Sequence, residues 1–369
     1  MDKVRVAVVG LGFGGEFVPI YQAWDKTECV AVCRRDEKKL NEFADQFGIP
    51  KRYTDYHEML KDPDIDAVHI NTDLNSHARM AIEALKVGKH VASTVTMGLT
   101  MEECEEIVRL EKETGKVYMM METSVYTREF LYFRKLYEAG EIGRLQFLRG
   151  SHQQNMSLPG WPSYWYGLPP MWYPTHAVAP LSEILGQPIT EVRCIGSGRI
   201  NEEYIKQYNS PFAAESMQIK FKDSDVAGEV TRTLFDTIRQ YRESFDFYGT
   251  KKSFEWEQCV GEHPVIHSGF EDAEHVEIPD TDGMLPEQIA HFALKHQIID
   301  ENHVSFIQGD GHGGSHPHLV REWISAILEG RPAHVNARVA ANWTVAGLLA
   351  HESAMQGGKV MQMPEWAQF

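Results

Sequence analysis

Paired cysteine is missing from this sequence. Its five cysteines, Cys29, Cys33, Cys104, Cys194 and Cys259, are odd in number, scattered, and contain no CxxC pair. A disulfide framework is excluded, and free thiols in a reducing compartment are expected. Positive charge is also in deficit. Lys plus Arg total 36 against 53 Asp plus Glu, a formal net charge of −17, and such a field repels DNA, RNA and anionic membrane surfaces. No segment approaches the roughly 18 apolar residues of a membrane span. The apolar stretch within the opening MDKVRVAVVG is too short for a signal h-region and lacks a cleavage site. Internal repeats and low-complexity tracts are absent too. The expectation is a cytoplasmic protein with neither nucleic-acid nor membrane partners.

What is present is globular: 369 residues, 43% hydrophobic and 24% charged, more chain than one core normally serves. Short β-branched runs (VRVAVVG, CVAVC, DAVHINT, KHVAST, KVYMMME) alternate with helical patterns up to about residue 122. In residues 76–87, for example, Met80, Ala81, Ala84, Leu85 and Val87 recur at helical spacing. This rhythm predicts an α/β domain over residues 1–122 with a doubly wound parallel sheet. Beyond it the runs lengthen and alternate, at 144–149, 229–235 and 244–248, with few crossover helices, so 123–369 is expected to form an α+β domain with a large open, mainly antiparallel sheet. Residues 278–314 are polar and rich in Pro and Gly, a long connection able to fold over a cleft. From 316 to 357 the helical period returns, and these helices are expected to pack back on the first domain.

The strongest motif is Gly10-Leu11-Gly12-Phe13-Gly14-Gly15, a GxGxxG with glycines at 10, 12 and 15. It follows the first strand and precedes a helix, in a unit whose second strand ends about 20 residues later, the context a dinucleotide site requires. Gly10 permits the turn, Gly12 lets backbone approach a pyrophosphate, and Gly15 lets the helix pack close to the strand. The second strand ends in Arg34 and Arg35, followed by Asp36, where an NAD enzyme usually carries an acid for the ribose. Guanidinium groups there suit a 2′-phosphate, while Asp36 keeps the ribose reading open, so NAD and NADP both stand.

These segments, with AVCRRDEKKL, DAVHINTDLNSHARMAIEALKVGKHV and YGTKKSFEW, resemble the family of glucose-fructose oxidoreductase, inositol dehydrogenase and MocA. The resemblance runs over nearly the whole chain. It implies a Rossmann domain, a second domain whose sheet supports homo-oligomers (dimer or tetramer), and hydride transfer between a nicotinamide cofactor and a sugar or cyclitol carbinol. It also places the cofactor against Gly10, Gly12, Phe13, Gly14, Gly15, Arg34, Arg35, Asn71, Thr72, His77, Thr94, Val95 and Glu122. Two positions depart from the family. Where it carries Glu-Lys-Pro after GKHV, this chain has Thr94-Val95-Thr96, and where it carries an Asp four residues before the catalytic His, Trp172 precedes His176. METSVYTRE, MWYPTHAVAP and DGHGGSHPHLV are similar to the branch of NAD-dependent glycoside hydrolases. That likeness implies Tyr126 and His176 as the working residues, and a retained cofactor that oxidises the 3-hydroxyl, permits elimination and water addition, and is restored.

Read as chemistry, carbinol oxidation needs a base close to neutral pKa. His176 follows a proline and precedes an apolar helical stretch, which puts it at a helix start and lowers its pKa. Tyr126 and Glu122 lie past a strand end, at the carboxyl edge where ligands of open sheets collect. Trp165, Trp172 and Tyr173 belong to an aromatic stretch suited to stacking a sugar ring. His312 and His316, within GDGHGGSHPH, are read as substrate contacts; the alternative is a zinc or manganese site made of Asp310, His312, His316 and His318, which would suit a metal-dependent lyase or hydratase acting on a ketosugar. A non-catalytic dinucleotide and sugar sensor is the remaining class.

Overall fold

A computed structural model describes residues 2–239, 241–295 and 311–369. Its contacts divide the chain into two units, Met1–Arg128 with Asp280–Ala340, and Glu129–Pro279 with Ala341–Phe369. The sequence pattern assigned residues 123–369 to the second domain, with the carboxy-terminal helices packing back on the first. The contacts group 280–340 with the first unit, because the helix His316–Glu329 packs on the first strand and on the helix Val18–Ala23.

The first unit holds a six-stranded sheet of β1 (Val4–Val9), β2 (Thr27–Cys33), β3 (Lys51–Tyr53), β4 (Ala67–Ile70), β5 (His90–Ser93) and β6 (Tyr118–Met120). The strand order is β3-β2-β1-β4-β5-β6, and every neighbouring pair is parallel. Val4, Val6, Ala7 and Val8 of β1 are all wholly buried, as a strand covered on both faces demands. The chain winds outward from β1 to β3, then returns to β4 on β1's other side. This reversal puts the topological switch point between the carboxyl ends of β1 and β4. Strand β3 escaped the sequence pattern: Lys51-Arg52-Tyr53 is short and none of its residues is buried. Helix ends follow their local chemistry. Thr100 and Glu103 form a capping box before Met101–Thr114, and Gly48 and Gly115 end their helices in the left-handed region.

The second unit is built on nine strands: β7 (Leu145–Gln154), β8 (Ile189–Ser197), β9 (Ala214–Phe221), β10 (Ala227–Thr233), β11 (Tyr241–Gly249), β12 (Ser253–Glu255), β13 (Val265–His267), β14 (Ala273–His275) and β15 (Met361–Gln362). Their order is β14-β13-β12-β11-β7-β10-β9-β8-β15. The sheet is mainly antiparallel, with one parallel pair, β7 and β10, at its centre. Phe133, on the helix Arg128–Glu138, packs its ring 4.8 Å from Phe247 and 5.6 Å from Phe254. The helix Thr175–Leu185 covers β7, β10 and β11.

The expected long connection is only partly irregular. Its first part forms a turn at Asp282–Met284, a helix at Glu287–Ala290 and a turn at His291–Ala293, while residues 296–310 lie outside the described residues. Its two ends meet on Arg128, whose Nη2 donates to the Ala293 carbonyl at 3.2 Å and whose Nε lies 3.6 Å from Asp280.

One glycine sets the spacing of the second unit. A Cβ on Gly150 of β7 would stand 2.0 Å from the carbonyl oxygen of Ala177, so the helix Thr175–Leu185 approaches this strand only where no side chain intervenes. Gly150→Ala is expected to lower stability by about 1–3 kcal/mol through forced separation of helix and sheet. Urea unfolding checks this, and an unchanged midpoint would mean that the helix shifts freely.

Candidate functional site

In the first unit the carboxyl edge of the sheet gathers most of the residues expected to meet a dinucleotide. Gly10 has φ of +84°, and a Cβ there would lie 2.3 Å from the Asn71 carbonyl oxygen, so only glycine fits the turn between β1 and β4. A Cβ on Gly14 would fall 2.9 Å from the Asn71 side chain. At Gly12, by contrast, it would meet nothing within 4 Å. Open space over Gly12 beside a closed turn is the shape into which a pyrophosphate fits. Asn71 is buried, and its Oδ1 has no hydrogen-bond partner among the described residues, so a polar acceptor waits beside that space. The segment after the glycines is a single-turn helix, Phe13–Glu16, with Gly14 and Gly15 buried in it, continued by Val18–Ala23.

At the end of β2, Arg34 is half-buried and Arg35 exposed, and neither side chain has an ion-pair partner among the described residues. Asp36 is engaged: its carboxylate caps Glu37–Phe47, accepting from the Lys39 N–H at 3.1 Å. His77 works beneath the loops. Its Nδ1 lies 3.1 Å from the Thr96 carbonyl, and its Nε2 lies 3.0 Å from the Thr72 carbonyl and 3.2 Å from the Thr94 hydroxyl. It thereby ties the segments after β4 and β5 together, with Val95 buried between its anchors. Burial lowers its pKa. Glu122 is wholly buried and accepts from the Ser124 N–H at 2.9 Å. The Tyr126 ring stacks on His318 at 6.4 Å and meets His334 edge-on at 6.3 Å.

The late histidines separate. His318 Nε2 pairs with the Thr281 hydroxyl at 2.8 Å. His312 and His316 instead lie on the glycine segment, each with its ring 5.5 Å from that of Phe13. His316 faces His312 with Nε2 at 3.3 Å and Glu16 with Nδ1 at 3.4 Å. Of the four residues weighed as a metal site, His312 and His316 face one another, His318 turns to Thr281, and Asp310 lies outside the described residues. His312 and His316, expected as substrate contacts, lie against Phe13 of the glycine segment. Burial pushes His316 well below its usual range, with His312 and His69 adding to the shift, and burial raises Glu16 to about 7.

In the second unit His176 is the second residue of the helix Thr175–Leu185 and is buried. Its Nε2 lies 3.3 Å from the Tyr173 hydroxyl and 3.8 Å from Glu243 Oε1. Trp165 packs on Tyr173 at 5.1 Å, whereas Trp172 turns to Tyr208 and His351, at 5.8 and 5.9 Å. Of the three aromatics expected to stack a sugar, Tyr173 contacts His176, Trp165 reaches it only through Tyr173, and Trp172 faces elsewhere. Several partners were not anticipated. Strand register sets Glu243 of β11, His152 of β7, Arg232 of β10 and Glu215 of β9 side by side. His152 Nε2 is 3.8 Å from the same Glu243 oxygen, and its ring lies 5.0 Å from that of His176. The signal was available in the period-two pattern, which puts His152 and Gln154 on the face of Gly150, but which face the helix covers is not written locally.

Residues 4–122 match the model of an oxidoreductase family with an NAD-binding Rossmann fold. Over 99% of the chain and 86% of the relative, the sequence is 25% identical to a glycosyl hydrolase family 109 protein of Shewanella pealeana. It is 24% identical to an α-N-acetylgalactosaminidase of Shewanella oneidensis, over 99% of this chain and 85% of that one. Among solved structures, a levoglucosan dehydrogenase in complex with NADH and levoglucosan superposes with a TM-score of 0.78 at 20% identity, covering 98% of this chain and 100% of that one. A probable dehydrogenase from Thermotoga maritima gives 0.73 at 18%, covering 97% and 98%. No helix among the described residues is long and apolar enough to cross a membrane.

Two predictions follow from the glycine segment. Gly12→Val fills the open space and is expected to abolish dinucleotide binding, read by titration calorimetry; unchanged affinity would take the segment out of the site. Glu16, raised to about 7, favours the folded state while it is protonated. Its contribution is full below the ordinary carboxylate range and is lost as pH rises through about 7. Glu16→Gln should therefore match wild type in urea at about pH 4 and exceed it at about pH 8; a pH-independent difference would refute the assignment.

Proposed function

We propose, from the match of residues 4–122 to an oxidoreductase family with an NAD-binding Rossmann fold, that this enzyme oxidises a carbinol, the 3-hydroxyl, of a sugar or glycoside. The observation that carries the reading is the setting of His176, buried at a helix start with the Tyr173 hydroxyl at 3.3 Å and Glu243 at 3.8 Å. Removal of the hydroxyl proton depends on this histidine. The nicotinamide, when bound, takes up the hydride. The chain's own residues supply the rest. Gly10, Gly12 and Gly14 shape the pyrophosphate turn, Asn71 offers a polar contact beside it, and Arg34 and Arg35 meet the adenosine end. Tyr173 and Trp165 supply aromatic surface for a sugar ring.

A second reading shares this first step. The likeness to a glycosyl hydrolase family 109 protein and to an α-N-acetylgalactosaminidase extends over 99% of the chain, and it supports a redox-neutral hydrolase in which the 3-ketone acidifies the C2 proton. Expulsion of the leaving group, addition of water and reduction then complete the cycle, with Tyr126 the candidate for the C2 proton. Mass spectrometry of dinucleotide released on denaturation separates the two. Near-stoichiometric retained cofactor supports the hydrolase or a transferring oxidoreductase, and an empty site that binds added cofactor supports an exchanging dehydrogenase. The 2′-phosphate, present or absent, reports on Arg34.

His176→Ala is expected to bind dinucleotide as wild type does and to lose turnover by about 10²–10⁴-fold. Near-normal turnover of glycosides in that variant would overturn the role of His176.

A further inference from the structure

His152, His176 and Glu243 bring one potential ligand atom each to within 4.8 Å of the others. The Glu243 carboxylate lies 3.8 Å from the Nε2 of both histidines, beyond hydrogen-bond length. Three Lewis-basic atoms thus converge. In a tetrahedral zinc site with bonds of about 2.1 Å, ligand atoms stand roughly 3.4 Å apart. The cluster therefore closes around an ion by side-chain movements of less than about 1 Å. Its donor set, two imidazoles and one carboxylate, is that of catalytic zinc sites with three protein ligands and a fourth position open. Imidazole donors also select against magnesium and calcium.

The three donors are held by the fold. Register pairs His152 with Glu243 directly across β7 and β11. His176 arrives from the helix that Gly150 admits to the sheet, since a Cβ at Gly150 would meet the Ala177 carbonyl. His152 is wholly buried, His176 is 4% exposed, and the Glu243 side chain is 13% exposed. The Glu243 carboxylate, which accepts from the Tyr241 hydroxyl and interacts with the buried Arg232 guanidinium, presents its oxygen between two buried imidazoles.

We propose that His152, His176 and Glu243 form a binding site for a divalent zinc-like cation, which takes the oxygen of the substrate carbinol in its open position. The part concerning substrate rests on the carbohydrate reading above; the binding of the cation does not. His176 acts as a ligand in this arrangement, which accounts for the dependence of deprotonation on it. Coordination lowers the pKa of the carbinol oxygen, its proton passes to solvent, and the C–H electron pair leaves as hydride to the oxidised nicotinamide as the C=O bond forms. Coordination of Nε2 also releases the Tyr173 hydroxyl, now 3.3 Å from it, to contact the sugar.

The test measures metal content of the full-length protein by plasma mass spectrometry, then adds Zn²⁺ and Co²⁺ to chelator-treated protein. About one cation per chain is expected, with the intense visible absorption of tetrahedral Co²⁺. Glu243→Gln and His152→Gln should each bind below about a tenth of that amount while retaining dinucleotide affinity, which controls for folding. Wild-type protein that binds neither Zn²⁺ nor Co²⁺ more tightly than these variants overturns the proposal. Should such metal-free protein still reduce nicotinamide with a glycoside, the carbohydrate reading stands and the cation alone falls. Conversely, a bound cation lost in both variants upholds the site even where no sugar reduces the nicotinamide.

Discussion

Arg232 surrenders its hydration entirely, and the second unit is arranged to replace it. Its Nε donates to the Tyr173 carbonyl at 3.0 Å, Nη1 to the carbonyls of His152 at 3.1 Å and Thr233 at 2.5 Å, and Nη2 to Gln154 Oε1 at 2.8 Å. Burial pulls the guanidinium down to about 10, which still leaves it charged at neutral pH. A buried cation is tolerable only with its donors satisfied, so these contacts tie the Tyr173 backbone to the central strands. Tyr173 begins the approach to His176. The approach to the histidine is therefore tied to a buried charge distant in sequence, on a strand that meets β7 in parallel.

The neighbouring strand extends the same logic. Glu215, opposite Arg232 in register, accepts from the Met171 N–H at 2.7 Å and lies 2.7 Å from His351 Nδ1. Both ends of the segment that delivers His176 are thus fastened to buried polar groups of the sheet. Within the helix, Pro180 has no N–H to offer the carbonyl four residues before it, that of His176. The first turn of this helix consequently depends on packing against β7 more than on its own ladder, which is why the bare backbone at Gly150 matters.

The first unit solves a different problem, bringing backbone close to an anionic ligand. There the closeness of Gly10 and Gly14 to Asn71 leaves Gly12 as the open position. Phe13, next in sequence, meets His316 at the start of a distant helix and His312 in the turn before it. A His316 imidazole held well below its usual range beside a carboxyl raised to about 7 means that burial governs the charge around this turn.

Local sequence determined a good deal. The glycine spacing, the strand that precedes it and the β-branched rhythm specify a doubly wound sheet with its ligand edge at Gly10, because turns and strand periods are short-range properties. The same is true of His176 at a helix start, since Pro174 and the apolar run after it are adjacent to it. What lay beyond reach was every pairing across strands. Nothing near His152 announces Glu243 or Arg232, and nothing near His316 announces Phe13 or Glu16, because register and helix docking are decided by burial summed over many residues. Only the tertiary structure could therefore separate His318 from its neighbours, turn Trp172 away from His176, and convert one histidine into a cluster of three donors.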